Sequence, residues 1–377
     1  MAPAILLGTT GGPGGATGAP GAPGAPGAPV VATGAADAPV GTAHAGLVDR
    51  FGRRAIDLRV SLTERCNLRC TYCMPAAGLP FAPDDALMTA AEIERLVRLG
   101  TSRFGVRKVR FTGGEPMLRH DLVDVIARCA ALPDAPELSL TTNAIGLAHR
   151  ARALSDAGLR RVNVSLDTVD PDVFTTVTRR PFLDKVIAGL TAAHDAGLDI
   201  KVNAVLLRGV NDGAAPELLR WCLERGYELR FIEQMPLDPD HTWDRTSMVT
   251  AAETRALLSS SFVLTPDDAP RDGAPAERYR VQDARTGEAL GTVGIIASIT
   301  ESFCADCTRT RLTADGHVRS CLFSDDETDV LGPMRAGASD DEVAEAWRRA
   351  MWAKPRDHGD DSDELVHPAR GMSAIGG

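Results

Sequence analysis

A parallel α/β fold is expected for this chain of 377 residues, and three features of the sequence carry that expectation. Apolar β-rich segments alternate with amphipathic stretches, polar residues recur where those segments end, and glycines stand where helices should stop. The expected strands run Ile56 to Leu62, Val109 to Thr112, Leu138 to Thr142, Val162 to Leu166, Ile200 to Leu207 and Leu229 to Glu233. Between them Ala90 to Leu99, Leu122 to Ala131, Phe182 to Ala196 and Glu217 to Arg225 repeat apolar residues at i, i+3 and i+4, the spacing of one helix face. Gly158 and Gly197 fall at expected helix C-caps. Strands separated by helices pair in parallel through right-handed crossovers, which leaves a doubly wound sheet or an incomplete barrel.

Composition narrows the partners. With 41 Lys+Arg against 51 Asp+Glu the net charge is −10, so nonspecific attraction to nucleic acid or an anionic membrane is not expected. Any anionic ligand must be met by basic residues gathered locally. Aromatics make up 5% and the 44% hydrophobic share is rich in Ala and Val, which suits aliphatic packing rather than a base-stacking platform. No apolar run approaches the ~18 residues of a membrane span, and the N-terminus lacks the positive flank of a secretory signal. A cytoplasmic protein with no membrane and no nucleic-acid partner is expected.

Of residues 1–46, 32 are Gly, Ala or Pro, including four Gly-Ala-Pro triplets from Gly18 to Pro29. Such a composition cannot bury enough apolar surface to fold, so residues 1–48 are read as a disordered leader. After Thr250 the pattern changes to a helix at Ala251 to Leu258, a Pro/Asp/Gly loop to Ala276, and a hairpin from Arg278 to Asp283 and Gly291 to Ile299 around Arg285-Thr286-Gly287. A cysteine segment, a helix at Asp341 to Met351, an acidic loop and a tail ending Gly376-Gly377 follow. The expected division is therefore 49–240, 241–355 and a tail from 356.

Six of the eight cysteines fall into two triplets, Cys66, Cys70 and Cys73, and Cys304, Cys307 and Cys321. Cys129 and Cys222 stand alone and read as core thiols. Odd-numbered triplets suit metals better than disulfides. A structural zinc wants four ligands, whereas a cubane iron–sulfur cluster held by three cysteines keeps one iron open to another molecule. His317 is the one nearby candidate for a fourth ligand to the second triplet, so a zinc knuckle stays open there.

Thr112-Gly113-Gly114-Glu115-Pro116 ends the second expected strand, with glycines that allow close backbone approach and Glu115 as an acceptor for an ammonium group. Thr141, Thr142 and Asn143, then Ser165 and Asp167, then Glu233 and Met235 close later strands and would line one mouth. Arg59, Arg110 and Lys201 lie inside strands that otherwise read as apolar, and alternation sets them on the face opposite their apolar neighbours. Buried there, they need anions, either a polyanionic substrate or internal carboxylates such as Asp57. Arg309 and Arg311, beside the second triplet, offer planar donors suited to phosphate or purine acceptors.

The first triplet, Cys66-Asn-Leu-Arg-Cys70-Thr-Tyr-Cys73, resembles the signature of the radical S-adenosylmethionine (SAM) superfamily. With Asp57-Leu-Arg-Val-Ser61, Arg110-Phe-Thr-Gly-Gly-Glu-Pro116, Leu140-Thr-Thr-Asn143, Val162-Asn-Val-Ser-Leu-Asp167, Arg230-Phe-Ile-Glu-Gln-Met-Pro236, the second triplet and the terminal Gly-Gly, the chain from about Gly52 onward resembles the GTP 3′,8-cyclase family of molybdenum-cofactor biosynthesis. That resemblance implies an incomplete (βα)6 TIM-like radical SAM barrel and a C-terminal α+β domain carrying a second [4Fe-4S] cluster. It implies SAM held by the first cluster with Tyr72, Gly114, Glu115, Ser165 and Met235. It implies GTP contacts from Arg59, Lys108, Arg110, Thr141, Lys201, Arg309 and Arg311, and a tail that brings Gly376 and Gly377 into the site. The implied reaction converts GTP to (8S)-3′,8-cyclo-7,8-dihydroguanosine 5′-triphosphate while SAM is cleaved to methionine and 5′-deoxyadenosine, and it needs an electron donor; a homodimer is a further implied partner. Typical members begin close to the first strand, so the leader departs from the pattern. A radical SAM peptide maturase and a non-enzymatic zinc or iron–sulfur module are the alternatives.

Overall fold

The structure, a computed structural model, describes residues 46–79, 81–271, 273–357 and 368–375. The leader expected over 1–48 lies outside the described residues as far as residue 45. Its last two positions are ordered: β1 (Leu47–Val48) pairs antiparallel with β2 (Arg54–Ala55), and Leu47 is fully buried. Asp49 closes this hairpin by accepting from the backbone N–H of Phe51 at 2.9 Å and of Arg53 at 3.0 Å.

The body follows the expected alternation. β3 (Asp57–Ser61), α1 (Ala90–Phe104), β4 (Lys108–Thr112), α2 (Leu122–Ala130), β5 (Glu137–Thr142), α3 (Ala151–Asp156), β6 (Arg161–Ser165), α4 (Pro171–Thr178), α5 (Leu183–Asp195), β7 (Asp199–Val205), α6 (Ala215–Leu223) and β8 (Glu228–Ile232) succeed one another. The six strands lie in chain order and pair in parallel. The sequence reading missed α3 and α4. The first is only six residues long, and the second, Pro-Asp-Val-Phe-Thr-Thr-Val-Thr, is rich in β-branched residues that resemble a strand. Its start was nonetheless written as Asp-Pro: Asp170 accepts from Asp172 N and Val173 N at 2.9 and 2.8 Å, with Pro171 in the first turn.

Beyond residue 240 come α7 (Ala251–Leu258), β9 (Phe262–Pro266), β10 (Glu277–Asp283), β11 (Ala289–Ile296), β12 (Arg309–Leu312), β13 (His317–Arg319), β14 (Thr328–Asp329), α8 (Leu331–Arg335), α9 (Asp340–Trp352) and α10 (Met372–Ile375). The expected hairpin is β10 and β11, whereas β9 occupies chain read as loop and β12 lies inside the cysteine segment. These strands do not form a separate sheet. β11 pairs in parallel with β8 and β12 in parallel with β3, so one sheet of 12 strands runs across the expected boundary. Residues 297–308 connect opposite edges of the six-stranded body, and Cys304 and Cys307 sit on that connection.

Helices are fixed at their starts by reciprocal capping boxes, Thr89 with Glu92, Thr250 with Glu253 and Ser339 with Glu342. On α9, Trp347 is fully buried, packs edge-on against Phe104 with ring centroids 5.6 Å apart, and donates to Thr310 Oγ1 at 3.0 Å. One aromatic thus pins α9 to α1 and to β12, and truncating such a side chain costs roughly 3–5 kcal/mol. Cys129 and Cys222 are buried core thiols, as expected. Among the described residues no helix is long and apolar enough to cross a membrane.

Candidate active site

Alternation gives the six parallel strands and β12 one apolar face, typified by Leu58, Val109, Leu140 and Phe231, and one polar face. In register, Arg309 stands beside Asp57, Arg311 beside Arg59, and Arg59 beside Arg110. Arg311 is 4% exposed and Arg59 8%. Burial alone would raise the Asp57 carboxyl, but Arg110, Arg59, Arg309 and Arg311 together hold it below its ordinary value. Burial, and then the like charges of Arg110, Arg311 and Arg309, push the Arg59 guanidinium well down. One carboxylate thus faces four guanidiniums. Buried N–H groups on Arg59, Arg110, Arg309 and Arg311, and the hydroxyls of Ser61 and Thr141, have no hydrogen-bond partner among the described residues. Such an array suits an anion with several oxygens.

The other expected cations fare differently. Lys201 is paired with Glu228 at 2.8 Å, the internal-carboxylate outcome, with a different carboxylate from Asp57. Lys108 is exposed where β4 opens, beside Glu137 in register. Arg230, quoted in a motif but given no role, is buried on the same face and donates to Asn163 Oδ1 at 2.7 Å.

The first cysteine loop follows β3. Arg69 N and Thr71 N donate to Thr178 O and Val177 O at 3.0 and 2.9 Å, so the end of α4 holds the loop. Arg179, in the left-handed region at φ 56°, clamps it from outside by donating to Arg69 O at 2.9 Å and Met74 O at 3.1 Å. Burial raises all three thiols, Cys73 to about 12, and their mutual proximity adds to the shift at Cys70 and Cys73. Protons are therefore held unless a soft cation replaces them, chemistry in keeping with three thiols offered to an iron–sulfur cluster that keeps one iron open.

Tyr72 donates to Asp167 Oδ2 at 2.8 Å, and burial pushes the Asp167 carboxyl up to about 6. Glu115 is buried and already accepts three bonds, from Met117 N at 2.9 Å, Thr142 Oγ1 at 2.7 Å and Asn143 N at 2.7 Å; burial still lifts it to about 7. Asn143 continues the chain to Asn67 Oδ1 at 2.7 Å and Cys66 Sγ at 3.9 Å. The glycines before Glu115 serve a neighbour in the chain itself. A Cβ at Gly113 would lie 2.3 Å from Thr63 O, and one at Gly114 would lie 2.3 Å from Arg65 O. Ser165 ends β6 beside Asn203.

At the second triplet, burial raises the Cys307 thiol, but Lys354 and Arg309 outweigh it and bring it down to about 6. Arg53 reaches from the β1–β2 hairpin to donate to Cys304 O at 2.8 Å. His317 Nδ1 lies 3.4 Å from Asp315, which raises its pKa. Glu233, expected at the mouth, instead accepts from Ala251 N, Ile299 N and Thr300 N at 2.7, 2.8 and 3.0 Å and ties α7 to the chain after β11. Met235, Cys321, Met372 and Ile375 share a small apolar cluster, so the tail docks beside the second triplet. Gly376 and Gly377 lie outside the described residues. Among the described residues no three His, Cys, Asp or Glu side chains are gathered tightly enough to grip a single metal ion.

Residues 60–222 match the Radical SAM superfamily and residues 227–360 match Molybdenum Cofactor Synthesis C. A GTP 3′,8-cyclase of Paenarthrobacter nicotinovorans is 58% identical over 354 residues, covering 91% of this chain and 99% of that one. The chain belongs to the GTP 3′,8-cyclase family. A second GTP 3′,8-cyclase, from Mycolicibacterium smegmatis, is 54% identical over 91% of this chain and 95% of its own. Members are radical SAM enzymes of molybdenum-cofactor biosynthesis, so this chain is one, acting on GTP with SAM and a [4Fe-4S] cluster. The crystal structure of Streptococcus suis SuiB bound to precursor peptide SuiA has a TM-score of 0.52 at 16% identity, over 83% of this chain and 66% of that one. That likeness is one of fold alone, a radical SAM α/β fold with a large sheet, and lends nothing to the peptide-maturase alternative.

Arg179, Lys354, Arg53 and Arg230 escaped the sequence reading of this GTP 3′,8-cyclase family member. Arg230 was findable, being a cation inside an apolar strand like Arg59. The other three act through backbone carbonyls and a sulfur far away in the chain, and no local pattern announces that.

Proposed function

We propose that residues 49–240 form an incomplete (βα)6 barrel whose open side is covered by residues 241–355, with GTP bound between two [4Fe-4S] clusters. Cys66, Cys70 and Cys73 hold the first, and Cys304, Cys307 and Cys321 the second. The observation that carries this reading is the single Asp57 carboxylate among four buried guanidiniums with orphaned N–H groups. A triphosphate supplies the missing negative charge. Arg59, Arg110, Arg309 and Arg311 take its oxygens, Thr141 adds a hydroxyl, and Lys201 and Lys108 contribute field from farther out. Tyr72, Gly114, Glu115, Ser165 and Met235 surround SAM, with Glu115 and Asp167 as buried acceptors beside the cysteine loop.

When bound, the clusters and SAM supply the one-electron chemistry that joins ribose C3′ to guanine C8. The chain's own part is to orient the nucleotide and exclude water. Ile375 docks the described end of the tail beside Met235 and Cys321, and the family resemblance assigns Gly376 and Gly377 to the active site. A reducing partner, a homodimer and a cytoplasmic setting complete the reading. Anaerobic incubation with SAM, GTP and a reductant tests it: 5′-deoxyadenosine and the 3′,8-cyclised nucleotide should form together. SAM cleavage with GTP recovered unchanged would defeat the assignment of the polar face.

A further inference from the structure

Lys354 follows α9 and is 2% exposed. Its ammonium donates to Cys307 Sγ at 3.2 Å and to Arg309 O at 2.8 Å. The negative groups acting on it are sulfurs, Cys307 and Cys321, while Arg53 is a neighbouring cation. A buried ammonium is costly unless a negative group answers it, and the group supplied here is a sulfur. That sulfur answers the charge only as a thiolate, the form in which cysteine ligates a metal. Arg309 adds a second cation, with Nη1 4.0 Å from the same sulfur and its guanidinium 4.8 Å over the Phe303 ring. The first triplet has acidic neighbours as well as a cation: Asp167 acts on Cys70 and Cys73, and Glu115 acts on Cys66, where Arg69 opposes it. There Asp167 accepts from Tyr72, and Glu115 accepts from Asn143, whose amide reaches Cys66.

We infer that Lys354 is a positioning residue that raises the reduction potential of the second cluster through its contact with Cys307, and fixes Arg309 at the start of β12 by the same ammonium. The inference rests on the reading of Cys304, Cys307 and Cys321 as cluster ligands. Adding an electron makes a cluster more negative, so a cation donated to one of its sulfurs favours the reduced form. The single hydrogen bond to Arg309 O makes the cluster's electrostatics and the placement of a substrate cation depend on one side chain.

The test uses the full chain carrying Cys66→Ala, Cys70→Ala and Cys73→Ala, in which only the second cluster remains to be read. Reconstituted anaerobically, this parent should hold about four irons with acid-labile sulfide. Adding Lys354→Met should lower the potential read by spectroscopic redox titration by about 59 mV or more, a tenfold change in a one-electron equilibrium. Lys354→Arg should stay close to the parent. Equal potentials in parent and Lys354→Met, with the cluster retained, overturn the role. If Lys354→Met loses its cluster, Lys354→Arg decides: recovery of cluster and potential supports the role, and no recovery overturns it. A parent that binds no iron overturns the ligand reading itself and the role of Lys354 with it, a failure told apart by the iron count alone.

Discussion

Arg311 on β12 and Arg59 on β3 are register partners on adjacent parallel strands, two buried guanidiniums held side by side. Like charges so placed destabilise the empty protein and favour whatever anion separates them. Arg59→Ala and Arg311→Ala should therefore leave thermal stability unchanged or raised while weakening GTP binding roughly ten- to hundredfold, as the loss of a charge-assisted bond of about 1.5–3 kcal/mol implies. Lys201→Ala should behave in reverse, with a smaller loss of GTP binding and a loss of stability, because Glu228 is left without its partner. Calorimetry of GTP binding beside thermal melts separates the two patterns.

The two triplets should fail differently. Cys70→Ala should abolish 5′-deoxyadenosine formation, while Cys304→Ala should still bind SAM and yield no cyclised nucleotide. Equal cyclised product from Cys304→Ala and the unmutated chain would contradict this division.

Gly114→Ala should cost more than its size suggests. The added methyl would meet Arg65 O at 2.3 Å and Glu64 O at 2.5 Å, backbone atoms that can yield only by shifting the approach to Cys66. A penalty of at least ~1–3 kcal/mol is expected, with reduced iron uptake at the first loop. Gly213→Ala, with open space around its Cβ and no left-handed φ, should be neutral or slightly stabilising when both variants are compared by urea titration.

Asp315 and His317 make stability depend on pH in a stated direction. Asp315 raises the pKa of His317, so the stability contributed by their pairing is fully present below the unfolded imidazole value of about 6.5 and fades as pH rises through the higher folded value. Burial raises the Asp315 carboxyl, but His317 and Arg370 outweigh it and depress the group, so its own contribution is lost only in acid. His317→Gln should be less stable than the unmutated chain by up to about 1 kcal/mol below pH ~6, with the difference vanishing at alkaline pH. A difference that grows with pH would reverse the assignment.

Much of this was legible in the sequence because period-two alternation and cysteine spacing are local. The six strands, the polar face with Arg59 and Arg110, and the hairpin of β10 and β11 were all written in that way. The membership of β12 in the same sheet was hidden, since Arg-Thr-Arg-Leu is too short to show a period and its partner Asp57-Leu-Arg-Val lies far upstream. Glu233 shows the opposite failure. A carboxylate at a strand end looks like a ligand group, yet its three backbone donors come from Ala251, Ile299 and Thr300, which only folding brings together.

The pairing of β12 with β3 also fixes an order of events during synthesis. Arg309 meets Asp57 only after the ribosome has passed residue 309, whereas the first cysteine loop and β3 to β8 precede residue 233. Domains generally fold from the N-terminus as they emerge, and contacts between distant segments form last. The nascent protein can thus present its first three thiols for metallation while half of its four-guanidinium set is still untranslated. If the polar face takes GTP as proposed, nucleotide recruitment waits for Arg309 and Arg311, and a product truncated before Arg309 would carry the first cysteine loop without half of that cation set.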